Sequence, residues 1–185
     1  MAGGSQRGCA EVITAEELSA IVPHAKDRIA LVVQPLNEAM YTYGISDTTI
    51  LEAMFIAQVA HESGSFRYVK EIASGEAYEG RADLGNVERG DGVRYKGRGY
   101  IQVTGRANYK ACGEALGLDL IEHPELLETT ANACRSAAWF WYMKGLNELA
   151  DKGDFLGITK RINGGTNGYK ERMAFFNRAK QVLGC

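Results

Sequence analysis

Histidine is scarce in this chain of 185 residues: His24, His61 and His123 are the only three. A zinc-protease helix needs a second histidine four residues after the first, and Ser65 stands there after His61. No metal and no cofactor is expected. The four cysteines, Cys9, Cys112, Cys134 and Cys185, lack metal-type spacing and are too sparse for a disulfide scaffold. Free, packed thiols are the expectation. Cys112 with Cys134, or Cys9 with Cys185, are the pairs open to oxidation. No apolar run approaches a membrane span, which excludes membrane insertion. The opening MAGGSQRGCAEV has no hydrophobic signal core, so a cytoplasmic product is expected, exported only with help. There is no Walker sequence and no Gly-x-Ser-x-Gly elbow. Gly97 and Gly99 lack a third glycine at position 102, so they are a weak nucleotide signal. Net charge is −2, and with no global basic field a nucleic-acid partner is not expected.

What is present is ordinary for one globular domain: 45% hydrophobic and 24% charged residues. Charge is uneven. Arg89, Arg94, Lys96, Arg98, Arg106 and Lys110 face a single acid, Asp91, between positions 89 and 110; a second basic stretch runs from Lys160 to Lys180. These read either as solvated faces or as attraction to an anionic polymer.

The chain centres on ILEAMFIAQVAHESGSF, Ile50 to Phe66. Its apolar residues cover too much of a helix circumference for a surface helix, so it belongs inside. His61 and Glu62 end the run and Gly64 offers a stop. A carboxyl at a buried helix C-terminus has two reasons to keep its proton: desolvation and the negative end of the dipole. Glu62 is therefore the candidate general acid, although a His-Glu pair that only satisfies a helix end has the same sequence.

Elsewhere, Thr14 and Glu17 form a capping box for a helix from Ala15 to about Val22. Pro23 opens the next, and helical spacing continues past Pro35 to a stop at Gly44. Ser46 and Asp47 are the expected caps of the central helix. Periodicity then fails through KEIASGEAYEGRADLGNVERGDG, which is too long for an idle connection. A binding loop or lid is expected there, with carboxylates at Glu71, Glu76, Glu79, Asp83 and Glu88. Tyr100, Gln102 and Thr104 alternate with Ile101 and Val103, as in a short extended segment. Helices follow over Asn108–Leu116, from Pro124, over Ala133–Met143 with Thr130 or Asn132 as cap, over Phe155–Ile162 and over Tyr169–Leu183. Trp139, Phe140 and Trp141 read as core rather than sugar platform.

A buried acid followed by a carboxylate-rich loop suits glycoside hydrolysis, in which a second carboxylate activates water or attacks the sugar. AHESGSF, DGVRYKGRGYIQVTGRANY, INGG and ERMAFF together resemble glycoside hydrolase family 19, and AMFIAQVAHESGSF, ASGEAYEGRADLGN and RSAAWFW are similar to its phage endolysin branch. The resemblance spans about residues 20 to 183. It implies a mainly α, lysozyme-like, two-lobed helical fold with a small extended or β element beside the cleft. It implies inversion, with Glu62 as the acid and Thr104 positioning the water. Glu71, nine residues after the acid, takes the second carboxylate's role, with Glu79 as its rival. His61, Gln102, Asn108, Asn163 and Arg172 fall on positions that line the sugar cleft; Tyr95 and Tyr100 are weaker cleft candidates. Arg172 also reads as a bridge to Glu62 or Glu71. Residues 1–12 are expected to be a flexible tail and 13–185 a single catalytic domain, without a separate wall-binding module. The implied partner is the glycan strand of peptidoglycan, cut by a monomer stored in the host cytoplasm and released by a holin to act in the periplasm and cell wall. Chitinase action on N-acetylglucosamine polymers is the alternative.

Overall fold

Ten consecutive buried residues, Leu51 to Ala60, make helix α3 (Thr49–Glu62) the centre of the molecule. The computed structural model describes residues 13–185. Burying Leu51, Met54, Phe55, Ile56 and Val59 supplies roughly 10 kcal/mol before chain entropy is counted. Around α3 lie α1 (Ala15–Ile21), α2 (Ile29–Thr42), α6 (Thr130–Met143), α7 (Leu146–Asp151), α8 (Phe155–Asn163) and α9 (Tyr169–Leu183). The most extensive packing is α3 on α9, then α2 on α6. Trp141 meets Phe55 edge to face at 5.3 Å, and Phe155 stacks on Phe176 at 4.6 Å.

A second, smaller core holds Tyr95, Val103, Tyr109, Cys112, Leu116, Leu120, Leu127 and Trp139. It belongs to the short helix α4 (Asp91–Arg94), helix α5 (Arg106–Leu116) and the inner edge of α6. Two cores give the two lobes. Phe140 and Tyr43 touch both.

Several local expectations hold. The Thr14–Glu17 capping box forms, Pro23 starts a 3-10 turn over Pro23–Arg28, and α9 spans Tyr169–Leu183. Pro35 lies inside α2 without ending it; the carbonyl it leaves without a helical donor belongs to Leu31, whose residue is exposed. The caps differ from expectation by one residue each. Thr48, not Ser46 or Asp47, accepts Leu51 N–H at 3.3 Å, because Ile45–Asp47 is already a 3-10 turn. Thr129, not Thr130 or Asn132, accepts Asn132 N–H. No strand forms at Tyr100–Thr104 among the described residues. Arg98 and Val103 exchange both backbone hydrogen bonds, at 3.1 and 2.8 Å, around a tight turn that needs Gly99 at φ 87°. Lys70 bridges to Arg98 on the other side. Tyr100, Ile101 and Val103 are all buried there, so the alternation did not mark two faces.

In the basic stretch from Arg89 to Lys110, Arg98 is buried, Arg89, Arg94 and Lys110 are exposed, and four of the six cations are tied to the fold. Arg98 binds Glu128 at 2.8 Å, Arg106 binds Asp91 and Glu88, Arg94 donates to Ile121 O, and Lys96 donates to Ala73 O. Cys112, Cys134 and Cys185 are free thiols, so Cys112 and Cys134 do not pair; Cys9 lies outside the described residues.

Candidate active site

Glu62 closes α3, and the chain reverses immediately behind it. Gly64, Ser65 and Phe66 take φ values of 58°, 62° and 62° in succession. A left-handed non-glycine residue costs on the order of 1–3 kcal/mol, so this strain must be held from outside. Ser63 does the holding: its hydroxyl donates to Val59 O at 2.6 Å and accepts Phe66 N–H at 2.8 Å. Arg28 donates to Ser65 O. The reversal leaves the Glu62 side chain 24% exposed while Arg172, on α9, stays buried at 2%.

Arg172 is the organising group. One of its nitrogens donates to Glu62 Oε1, another to Gln58 Oε1 at 2.5 Å, and Nε to Asn167 O at 3.3 Å. Gln58 is fully buried and donates onward to Thr159 Oγ1 at 2.9 Å, which itself donates to Phe155 O. The Glu62 carboxyl was expected to be buried; it is 24% exposed and held against a guanidinium, which is the Arg172–Glu62 bridge that the sequence reading offered. The Arg172 donors face inward, onto Glu62, Gln58 and Asn167 O.

His61 sits beside this pair. Gly168 makes room for it, since a Cβ there would collide with the imidazole. Burial first, and then the Arg172 charge, lower the His61 pKa, so the ring is neutral at neutral pH. Asn163, at the end of α8, donates to Asn167 O at 3.4 Å, the same carbonyl that Arg172 uses.

The second group of predicted residues gathers around Gly97. Glu71 N–H donates to Gly97 O at 2.9 Å, while a Cβ on Gly97 would lie 2.7 Å from Gln102 Oε1. Only glycine lets these two segments approach so closely. Gln102, Thr104 and Asn108 line one cavity of about 200 Å3, floored by Trp139, Phe140, Met143 and Lys144. Asn108 donates to Thr104 O at 2.7 Å, so these two move as one unit. Glu71 Oε2 accepts the Tyr78 hydroxyl at 2.9 Å, and its other oxygen is buried with no protein partner.

Two predicted site residues lie elsewhere. Tyr95 is 1% exposed in the smaller core and donates to Ile121 O, so it cannot reach a sugar. Glu79 accepts Gly90 N–H at 2.6 Å and Gly92 N–H at 2.9 Å, bonds that lower its pKa and commit both oxygens to the loop. Tyr100 is also buried, at 2%, against Phe66. Among the described residues, no group of three or more His, Cys, Asp or Glu could hold a metal ion. Gln58 and Tyr78 went unread in the sequence. Gln58 had a signal: with Glu52 it is one of two polar residues in the apolar run before His61, and it stands a helical turn ahead of Glu62 on the same face.

This geometry meets an independent finding. The family model described as chitinase class I, of glycoside hydrolase family 19, matches residues 41–153. The chain belongs to glycoside hydrolase family 19. The matched segment contains His61, Glu62, Glu71, Gln102, Thr104 and Asn108; Asn163 and Arg172 lie beyond it. A family 19 domain-containing protein of Haemophilus influenzae is 32% identical over 156 residues, 68% of this chain and 76% of that one. An Arabidopsis thaliana endochitinase is 40% identical over 114 residues, 61% of this chain. The chain spans only 39–45% of the length of the Arabidopsis endochitinases it matches. Among solved structures, chitinase C of Streptomyces griseus superposes with a TM-score of 0.78 at 25% identity, covering 96% of both chains. A bacterial family 19 chitinase superposes at 0.76 and 26% identity, covering 93% of this chain and 95% of that one. The mainly α, two-lobed lysozyme-like fold is thus the family 19 fold.

Proposed function

We propose that this chain hydrolyses β-1,4 glycosidic bonds of bacterial peptidoglycan, as a muramidase-type endolysin. The observation that carries the reading is the placement of the two carboxyls. Glu62 ends α3, 24% exposed and held by the buried Arg172, and Glu71 lies nine residues on, with its backbone on Gly97 O and its Oε2 on the Tyr78 hydroxyl. Glu62 in its acid form gives its proton to the leaving oxygen as the bond from the anomeric carbon to that oxygen breaks. A water on the opposite face, held by Thr104, attacks that carbon and passes its proton to Glu71. The product is a new reducing end of inverted configuration. Gln102, Asn108, Asn163 and His61 hold the sugars. The reading also carries a monomer stored in the host cytoplasm and released by a holin.

Chitin is the second reading, favoured by the relatives, several of which are named endochitinases. The test is one pair of digests, purified peptidoglycan and N-acetylglucosamine hexamer, each with the wild type and Glu62→Gln. New muropeptide reducing ends ending in muramic acid, absent with Glu62→Gln, support the proposal. Turnover of the hexamer alone selects the chitinase. Near-normal rates with Glu62→Gln remove the acid assignment.

A further inference from the structure

We infer that Tyr78 is a positioning residue for the base: its hydroxyl holds Oε2 of Glu71 and so fixes the rotation of the carboxylate that takes the proton from water. The inference rests on Glu71 being the second carboxylate.

A carboxylate has two oxygens and a free χ3 torsion, so a base on a loop needs something to stop it turning. Glu71 has little else to hold it. Its backbone is fixed by Gly97 O, yet among the described residues the one hydrogen bond to its carboxylate comes from the Tyr78 hydroxyl, at 2.9 Å to Oε2. Oε1 is buried and receives nothing from the protein.

The segment carrying Tyr78 is built for holding still. Gly75, at φ 91°, starts the Glu76–Tyr78 turn and packs its Cα against Gly92 O and the Lys96 side chain. Asn86, fully buried, donates to Tyr78 O at 2.9 Å and accepts Arg106 N–H at 2.8 Å, tying the turn to the start of α5. Glu79, the very next residue, clamps Gly90 and Gly92. Arg81 has its guanidinium on both oxygens of Asp83, at 2.7 and 2.6 Å. These contacts hold the 75–92 loop that carries Tyr78. Burial and the neighbouring carboxylate raise the Tyr78 pKa, so the phenol remains a donor throughout the working range.

The experiment is a double-mutant cycle on whichever polymer the wild type cleaves: wild type, Tyr78→Phe, Glu71→Ala and the double variant, with kcat, KM and the pH profile of kcat/KM. Tyr78→Phe removes one oxygen atom and leaves the ring. The expected result is a roughly 10-fold loss in kcat with KM within about twofold. The acid limb of the profile should move up by about one pH unit, because an anion has lost a charge-assisted donor. In the Glu71→Ala background the same change should cost nothing further, since the group it positions is gone. Losses that multiply, an unmoved acid limb or an unchanged kcat in Tyr78→Phe would each overturn the inference. Should Tyr78→Phe unfold the loop, Asn86→Ser reads the same arm from its other end: a kcat loss that vanishes in Glu71→Ala supports the inference, and one that persists there overturns it. Glu71→Ala retaining wild-type kcat instead overturns the choice of Glu71 as base, which separates that failure from a failure of Tyr78 alone.

Discussion

Replacing Arg172 with methionine should both weaken the fold and disarm the site, by amounts that can be set out beforehand. The side chain is 2% exposed and satisfies three acceptors: Glu62, Gln58 and the Asn167 carbonyl. Methionine fills a similar volume but donates nothing. Gln58 Oε1 is then buried without a donor, which costs about 1–3 kcal/mol. Glu62 is about a quarter exposed, so water takes over much of its loss. That places this pair below the 3–5 kcal/mol of a fully buried one, and the sum is about 3 kcal/mol. For a chain of this size the melting temperature should fall by roughly 6–12 °C, measured by calorimetry or circular dichroism. A second substitution, Gln58→Met, removes the orphaned acceptor. The double variant should therefore be more stable than the sum of the two losses by at least about 1 kcal/mol. Activity at a temperature where all variants are folded should drop by roughly 100-fold, because Glu62 is no longer aimed. Arg172→Lys should fall between, since an ammonium cannot reach Gln58 and Glu62 together as a fork can. A melting point within about 2 °C of wild type, or additive losses in the pair, would refute this account of how α9 holds the end of α3.

Further outcomes follow from other parts of the molecule. Asp91 is held by Arg106 and by Glu88 N–H, which lower its pKa. Its contribution is thus present above the ordinary carboxylate range and lost as pH falls through the depressed value; Asp91→Asn should melt lower than wild type at pH 7, with the gap closing on acidification below about pH 4. Glu79→Ala should reduce activity only in part, by loosening the loop, while Glu71→Ala should lower it by roughly 10²–10⁴-fold and leave a measurable rate; reducing-end assays on both variants compare them, and equal losses would return Glu79 to candidacy as the base. Burial pushes the thiols of Cys112 and Cys134 up to about 12. In a Cys9→Ser background a thiol reagent should label only Cys185 in the native protein, with two further thiols appearing in denaturant.

Much of this molecule was legible along the chain. The apolar run from Ile50 announces a helix that must be enclosed, since no arrangement at a surface hides so many side chains. The carboxyl at its end, the glycines at 97 and 99 and the polar spacing of Gln102, Thr104 and Asn108 could be read in the same way, because each depends on near neighbours in sequence. The mistaken readings share a different cause. Tyr95 resembled a cleft residue until a second core enclosed it, and Ser46 and Asp47 resembled caps until their segment proved to be a 3-10 turn.

Local pattern therefore determined which segments coil and where they stop. It did not determine what each carboxylate of this region touches. Those contacts come from the tertiary structure: Arg172 reaches back 110 residues to Glu62, and the 75–92 loop folds so that Glu79 accepts from Gly90 and Gly92 while Glu71 accepts from Tyr78. The physical reason is that a carboxylate's role depends on the donors and charges around it, and the donors that matter here come from segments the sequence holds far apart.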